Sequence, residues 1–196
     1  MSNVENNKRW HKQWSEFKKA HCNKQALLNK FYAFIFAAVI VLLCSVTMSI
    51  YCCKLTKPTV VDPYRFINIS IDINQGISFG NLNGKTWLIY ILQSVLIVVL
   101  FIFTFISKRF VEWFFGSMAY IGATYNLVDR MVIKEIASLK QKTNGVLDYF
   151  QFFDKSAIFN FPDFFIITGI IGICLFSFIF FICEYKQKKK NEEIKK

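Results

Sequence analysis

The 196-residue chain has no Cys-x-x-Cys pair and only two histidines, His11 and His21, both in a basic N-terminal arm. Without paired thiols or a histidine cluster, nothing in it is arranged to hold zinc or run dithiol redox chemistry, so neither metal nor cofactor is expected. The six cysteines (Cys22, Cys44, Cys52, Cys53, Cys174 and Cys183) fall mostly in or at the ends of apolar runs. That placement excludes a disulfide framework and reads as buried apolar thiols. No internal repeat is evident. The chain also lacks a short apolar core at its very N-terminus: the first apolar run starts at residue 31 and reads as a retained span rather than a cleaved signal. Val41, Leu42, Leu43 and Cys44 outline a lipoprotein cleavage box but lack the small residue before Cys, and read as ordinary helix.

Acidic residues are scarce too, 13 against 24 Lys and Arg, for a net charge of +11. Seven of the basic residues lie in residues 1–30 and six in 184–196, while Lys108 and Arg109 sit between central apolar runs. Charge held in tails beside apolar spans fits the positive-inside rule and contact with anionic lipid headgroups. It does not form the single basic face that nucleic acid would need, so no nucleic-acid partner is expected.

What the chain has in abundance is apolar surface: 54 % of residues are hydrophobic and 23 are Phe. A soluble domain of this length cannot hide that much, so part of it must face lipid. Four spans can be drawn, at 31–53, 87–106, 111–127 and 164–183, each near the ~20 residues that cross a hydrocarbon core. Four spans place both termini on one side, the cytoplasm, and put segments 54–86 and 128–163 outside. The expected fold is an all-α integral membrane protein of four transmembrane helices with a small extracytoplasmic β-sheet. Its organisation is a basic amphipathic N-terminal segment (1–30), a four-span domain (31–183) and a Lys-rich tail (184–196).

In the arm, Trp10, Trp14 and Phe17 recur at helical spacing among Lys and Arg, as in a helix lying on a membrane surface or simply a basic arm that sets topology. Alternation from Phe66 to Ile73 predicts a strand, and Asn83-Gly84 a tight turn. Gly116, Ser117, Ala119, Gly122 and Ala123 thin one side of the third span and predict a close helix–helix packing face.

Several polar residues do not suit a membrane. Asn126, Asp129 and Arg130 end the third span, and Asn126 and Arg130 share a helix face if the helix runs that far. A structural end, with Asp129 and Arg130 paired and Asn126 capping backbone, accounts for them as well as a functional site does. The fourth span opens with Asn160, Pro162 and Asp163, an N-cap, first-turn and N3 set, flanked by Phe residues that would desolvate the carboxylate. Asp148 lies in an aromatic-rich outer segment, where an isolated Asp is usually a turn residue. With Asp163 it could form a dyad sharing one proton, one carboxylate acting as base on water while the other polarises a carbonyl.

Taken in order, these segments resemble the lipoprotein signal peptidase (signal peptidase II) family. The stretch from Asn74 through Gly76 to Phe79 is similar to the family's Asn-x-Gly-x-x-Phe; Asn126, Asp129 and Arg130 match Asn-x-x-Asp-Arg. Gly145 to Tyr149 is similar to the segment ending in Asp-aromatic, and Phe159 to Asp163 to Phe-Asn-x-Ala-Asp, with Pro162 for Ala. The resemblance covers roughly residues 50–180. It implies a membrane aspartic endopeptidase with Asp148 and Asp163 as catalytic dyad. Asn126, Arg130 and Asn160 would hold substrate backbone, Asn74 and Gly76 would shape the groove, and Asp129 would brace the helix end. The implied substrates are diacylglyceryl-modified prolipoproteins, cut just before the lipidated cysteine, at the outer face of the bacterial cell membrane; family members are inhibited by globomycin. The family's first span commonly ends in Asp-Gln-x-x-Lys, of which this chain keeps Lys57 without the acidic residue. The stretch between Arg130 and Asp148 is longer than usual, with a Lys-rich segment. A catalytically inactive relative serving as membrane scaffold or partner-binding protein is the alternative. A transporter would want polar residues in several spans, and the second and fourth carry almost none.

Overall fold

Asn23 starts the first long helix by accepting the Ala26 N–H on its side-chain oxygen at 2.7 Å, an N-cap that relieves one of the helix's unpaired donors. The helix, α1, runs Lys24–Lys54. The computed structural model describes residues 10–12, 14–16, 23–54, 66–77, 81–132, 145–152 and 157–194. After α1 come β1 (Ile67–Asn74), α2 (Thr86–Ile106), α3 (Phe110–Val132), β2 (Val146–Phe152), β3 (Ile158–Phe159) and α4 (Phe161–Ile194). The strands form one antiparallel sheet in the order β1-β2-β3.

Three helices, α1, α2 and α4, are long and apolar enough to cross a membrane. α3 is not apolar enough, for a physical reason: it is the hub, packed against α1, α2 and α4, so fewer of its side chains have lipid to face. It accordingly carries Glu112, Asp129 and Arg130 and its stripe of small residues. Gly116, Ser117, Ala119, Gly122 and Ala123 are all buried, as their spacing predicts. A Cβ on Gly169 of α4 would stand 2.5 Å from the Phe115 carbonyl oxygen and 2.7 Å from the Ala119 Cβ, and one on Gly122 2.8 Å from the Pro162 carbonyl oxygen. Both contacts involve backbone, so α3 and α4 approach as closely as they do only because these positions lack side chains. Ala37, Val41, Met118, Ile121 and Phe165 fill the space among α1, α3 and α4. Elsewhere the helices turn apolar side chains outward, Leu43, Phe103 and Phe181 among them, as lipid-facing helices do.

Compared with the sequence expectation, α2 differs by one residue. α1 begins earlier, at Lys24, and α4 runs on past Cys183 to Ile194, because basic side chains do not break a helix that has left the apolar layer. β1 forms where alternation predicts a strand, but its burial does not alternate throughout: Ile67 is exposed and Asn68 buried, Ile73 is buried as expected, and the register is irregular between Ile69 and Asp72. The turn before α2 spans residues 81–84, where Gly84 has φ 84° and Leu82 φ 62°. In the arm, residues 10–12 and 14–16 are helical and the Trp10 and Trp14 rings stack at 5.9 Å. Phe17, Lys57, Phe79 and residues 133–144 of the Lys-rich segment lie outside the described residues.

Asp148 lies within a strand, so the alternative of an isolated turn residue does not hold. Val146, Leu147, Asp148 and Tyr149 are all buried, so β2 shows no alternation from which a strand could be read. Leu147 and Tyr149 pack with Cys52 and Ile73, seating the sheet on the end of the bundle.

Candidate active site

The site forms where that sheet meets the C-terminal end of α3 and the start of α4. Asn160 and Asp163 cap α4 reciprocally: Asp163 N–H donates to Asn160 Oδ1 at 2.8 Å, and Asn160 N–H donates to Asp163 Oδ2 at 3.3 Å. The same two residues also reach outside the cap. Asp163 Oδ1 accepts from Asn126 Nδ2 at 2.7 Å. Asn160 Nδ2 donates to Asp148 Oδ1 at 2.9 Å and lies 3.2 Å from Asn126 Oδ1. The structure thus joins Asp148, Asn160, Asn126 and Asp163 in one hydrogen-bonded chain. The structural reading of Asn160 as a cap and the functional reading hold together, since each Asn has more hydrogen-bonding capacity than a cap uses.

The second oxygen of Asp148 accepts from Asn74 Nδ2 at 3.0 Å. Asp72 pairs with Asp148 across β1 and β2, and Asn74 pairs with Val146, so Asn74 is the diagonal neighbour and its side chain spans the gap. Asn74 Oδ1 in turn accepts the Gly76 N–H at 3.0 Å, closing an Asx turn. Arg130, buried, donates from Nη1 to the Asn74 carbonyl at 3.3 Å and from Nη2 to the Gly76 carbonyl. Its fork therefore holds the loop that holds Asn74, one α-helical turn beyond Asn126. Asp129 accepts the Leu147 N–H at 3.0 Å and ties β2 to the end of α3, a brace between elements.

Asp148 is 2 % exposed, whereas Asp163 is only partly buried. Burial, and then the negative charge of Asp163, push the Asp148 carboxyl up to about 8; the Asn74 amide and the Arg130 charge pull the other way, and Asp72 adds a further upward push. Asp148 therefore keeps its proton at neutral pH. An unfolded Asp releases its proton near pH 4. Between pH 4 and 8 the folded chain binds one proton more than the unfolded chain, so stability falls as pH rises through that window and levels off above it. Thermal unfolding in detergent is expected to show this loss, and Asp148→Asn to flatten it. An unchanged pH profile in that variant would mean that Asp148 is ionised in the fold.

Three contributors were not legible as such in the sequence. Tyr149 is buried, its phenol held above its ordinary range by that burial, and its oxygen accepts the Phe161 N–H at 3.0 Å at the start of α4. A Cβ on Gly145 would meet Ile73 and stand 3.0 Å from the Asn74 carbonyl oxygen, so only glycine lets β2 start so close to Asn74. Tyr90 of α2 reaches the Arg130 carbonyl at 3.5 Å. Among the described residues no cluster of His, Cys, Asp or Glu could hold a metal.

A protein-family model described as signal peptidase (SPase) II matches residues 36–180. A lipoprotein signal peptidase of Malacoplasma penetrans is 32 % identical over 200 residues, covering 95 % of this chain and 80 % of that protein. One from Mycoplasmoides gallisepticum is 38 % identical over 127 residues, 64 % of this chain and 41 % of its own length. Among solved structures, a bacterial membrane enzyme determined by the in meso method at 2.3 Å shares the fold, with a TM-score of 0.60 at 24 % identity over 74 % of this chain and 87 % of the other.

Proposed function

The chain belongs to the signal peptidase II family, and we propose that it is a membrane aspartic endopeptidase that cleaves diacylglyceryl-modified prolipoproteins just before the lipidated cysteine. The observation that carries this reading is the hydrogen-bonded chain Asp148–Asn160–Asn126–Asp163, which holds two carboxylates from separate elements in one site. Their environments differ in the way a shared-proton dyad needs. Asp148 is buried and carries the proton. Asp163 is less deeply buried and sits at a helix N-terminus, where the backbone N–H of Asn160, the Asn126 amide and the dipole of α4 oppose the cost that burial places on its charge.

In the mechanism this supports, Asp163 takes a proton from water as its oxygen attacks the scissile carbonyl carbon, and Asp148 gives its proton to the carbonyl oxygen. The tetrahedral diol then collapses. Asp163 returns its proton to the leaving nitrogen, the C–N bond breaks, and a diol hydroxyl reprotonates Asp148. Asn126 and Asn160 line the site and fix the carboxylates, Arg130 positions the Asn74–Gly76 loop at the substrate groove, and Asp129 braces β2. α3 serves as a fourth span, giving a multi-pass protein of the cell membrane with both termini cytoplasmic, the carboxylates near the outer face and lipids around it.

The test is cleavage of a diacylglyceryl-modified prolipoprotein by the purified full chain, read by mass. A product beginning with the lipidated cysteine is expected. No cleavage under conditions where a known signal peptidase II works would transfer the chain to the other reading, an inactive relative acting as membrane scaffold.

A further inference from the structure

α2 is a strongly apolar span that carries a single side-chain amide, Gln93, which takes no part in the hydrogen-bonded chain at the carboxylates. Tyr90, Gln93, Ile97, Leu100 and Thr104 recur at helical spacing and are each shielded, so they share the face of α2 that meets α3. Tyr90 reaches the Arg130 carbonyl at one end of that face, and Thr104 lies against Gly116 at the other. In this antiparallel register Gln93 stands opposite Leu127, the residue next to Asn126. A second landmark fixes its depth. Ile97 of α2 and Ile166 of α4 both pack on the cluster that holds Ala119 and Ala123 of α3. One helical turn from that layer toward the sheet, roughly 5 Å, come Gln93 on α2 and Asp163 on α4. Amide and carboxylate therefore stand at the same depth, on the two helices that flank this side of α3.

Gln93 Oε1 is buried and, among the described residues, accepts no hydrogen bond. An unpaired acceptor in apolar surroundings costs free energy, and folded proteins keep few of them. The buried hydroxyls of Ser45 and Ser117 also lack a partner, but a hydroxyl can turn to donate to the carbonyl one turn back in its own helix. An amide oxygen only accepts, and the N–H groups in the middle of a helix are already taken. The donor that satisfies it has to come from outside α2. An intramembrane peptidase brings one. The apolar core of a signal peptide precedes its cleavage site, so a substrate held at the carboxylates continues from them into the hydrocarbon layer. To expose the scissile bond its backbone leaves the helical conformation there, and non-helical backbone at membrane depth must be hydrogen-bonded by protein.

We propose that the Gln93 side-chain amide hydrogen-bonds the unwound backbone of the substrate just before the scissile bond, which makes α2 a wall of the substrate groove opposite Asp163. The inference rests on the peptidase reading. The amide offers an acceptor and donors together, the complement of a peptide backbone, so it binds main chain without selecting a side chain. Tyr90, one turn nearer the sheet, and Ile97, one turn deeper, bound it along α2, so the polar contact is confined to the depth at which the substrate backbone is open.

The test uses the full chain in neutral detergent with a diacylglyceryl-modified prolipoprotein. Gln93→Met keeps the length and packing of the side chain and removes its amide. KM is expected to rise about fivefold with kcat within about twofold of the parent, the mark of a hydrogen bond made equally to substrate and transition state. Tm is expected to stay level or rise, because an unpaired buried group is gone. A lower Tm at unchanged KM would make the amide a structural one and overturn the proposal. In a second arm, p-benzoylphenylalanine replaces Gln93 in the Asp148→Asn chain, which leaves the substrate uncut. Photocrosslinks to the residues just before the lipidated cysteine are expected there, and none from the same group at Val98 on the exposed side of α2. No crosslink from position 93, or equal crosslinking from both, would overturn it. If the parent chain fails to cleave, the peptidase reading falls, and the crosslinks still decide whether Gln93 meets a prolipoprotein.

Discussion

Asp148→Asn and Asp163→Asn are each expected to abolish prolipoprotein cleavage, with kcat lowered at least ~10³-fold, because neither step of proton transfer has a substitute within the network. The two variants part company in stability, and that contrast separates lost chemistry from lost folding. Asp148→Asn keeps the shape of a carboxyl group that the fold already holds neutral, with Asn160 and Asn74 on its two oxygens. It is expected to unfold at the same or a higher temperature than the parent at pH 8. Asp163→Asn surrenders a charge at the N-terminus of α4 and weakens the reciprocal cap with Asn160, costing about 1 kcal/mol. The double variant should be no slower than either single one, since the carboxylates act as a unit. Residual cleavage within tenfold of the parent in either variant, with the fold intact, would remove that residue from the mechanism.

Arg130 is expected to have the next largest effect. Arg130→Leu leaves the Asn74 and Gly76 carbonyls without their donor, a loss of roughly 1–3 kcal/mol for each group. With the loop released, the Asn74 amide no longer holds Asp148 Oδ2, and kcat should fall about 100-fold with a smaller change in KM. Arg130→Lys keeps one charge-assisted contact but not the fork, and should recover part of the stability and little of the rate. A variant that raises KM while leaving kcat and Tm alone would instead make Arg130 a direct substrate contact. Because the hydrogen bonds of Arg130 reach Asp148 through the Asn74 loop, kcat and unfolding temperature are expected to move together across the series.

The parts of this protein legible in the sequence are those in which a residue's role is set by its near neighbours in the chain. Apolar runs of sufficient length define α2 to within a residue, and the Asn160–Asp163 spacing is itself the helix cap. Small residues along α3 mark its packing face, and alternation marks β1. Asn126 and Arg130 lie on one face because the helix period puts them there. The ordered motifs carried the family resemblance, and with it the expectation that Asp148 and Asp163 belong together. Their arrangement depends on contacts between residues far apart in the chain. Burial throughout Val146–Tyr149 erases the alternation that would have marked β2, so the strand that carries Asp148 beside Asp72 was not legible in the sequence. The same holds for the link from Asn160 to Asn126, the fork of Arg130 on the Asn74–Gly76 loop, and Glu112 buried beneath Arg109. Hydropathy and spacing act along one segment, whereas these polar groups are satisfied across segments, and only the packing of α3 against the sheet and α4 decides which donor meets which acceptor.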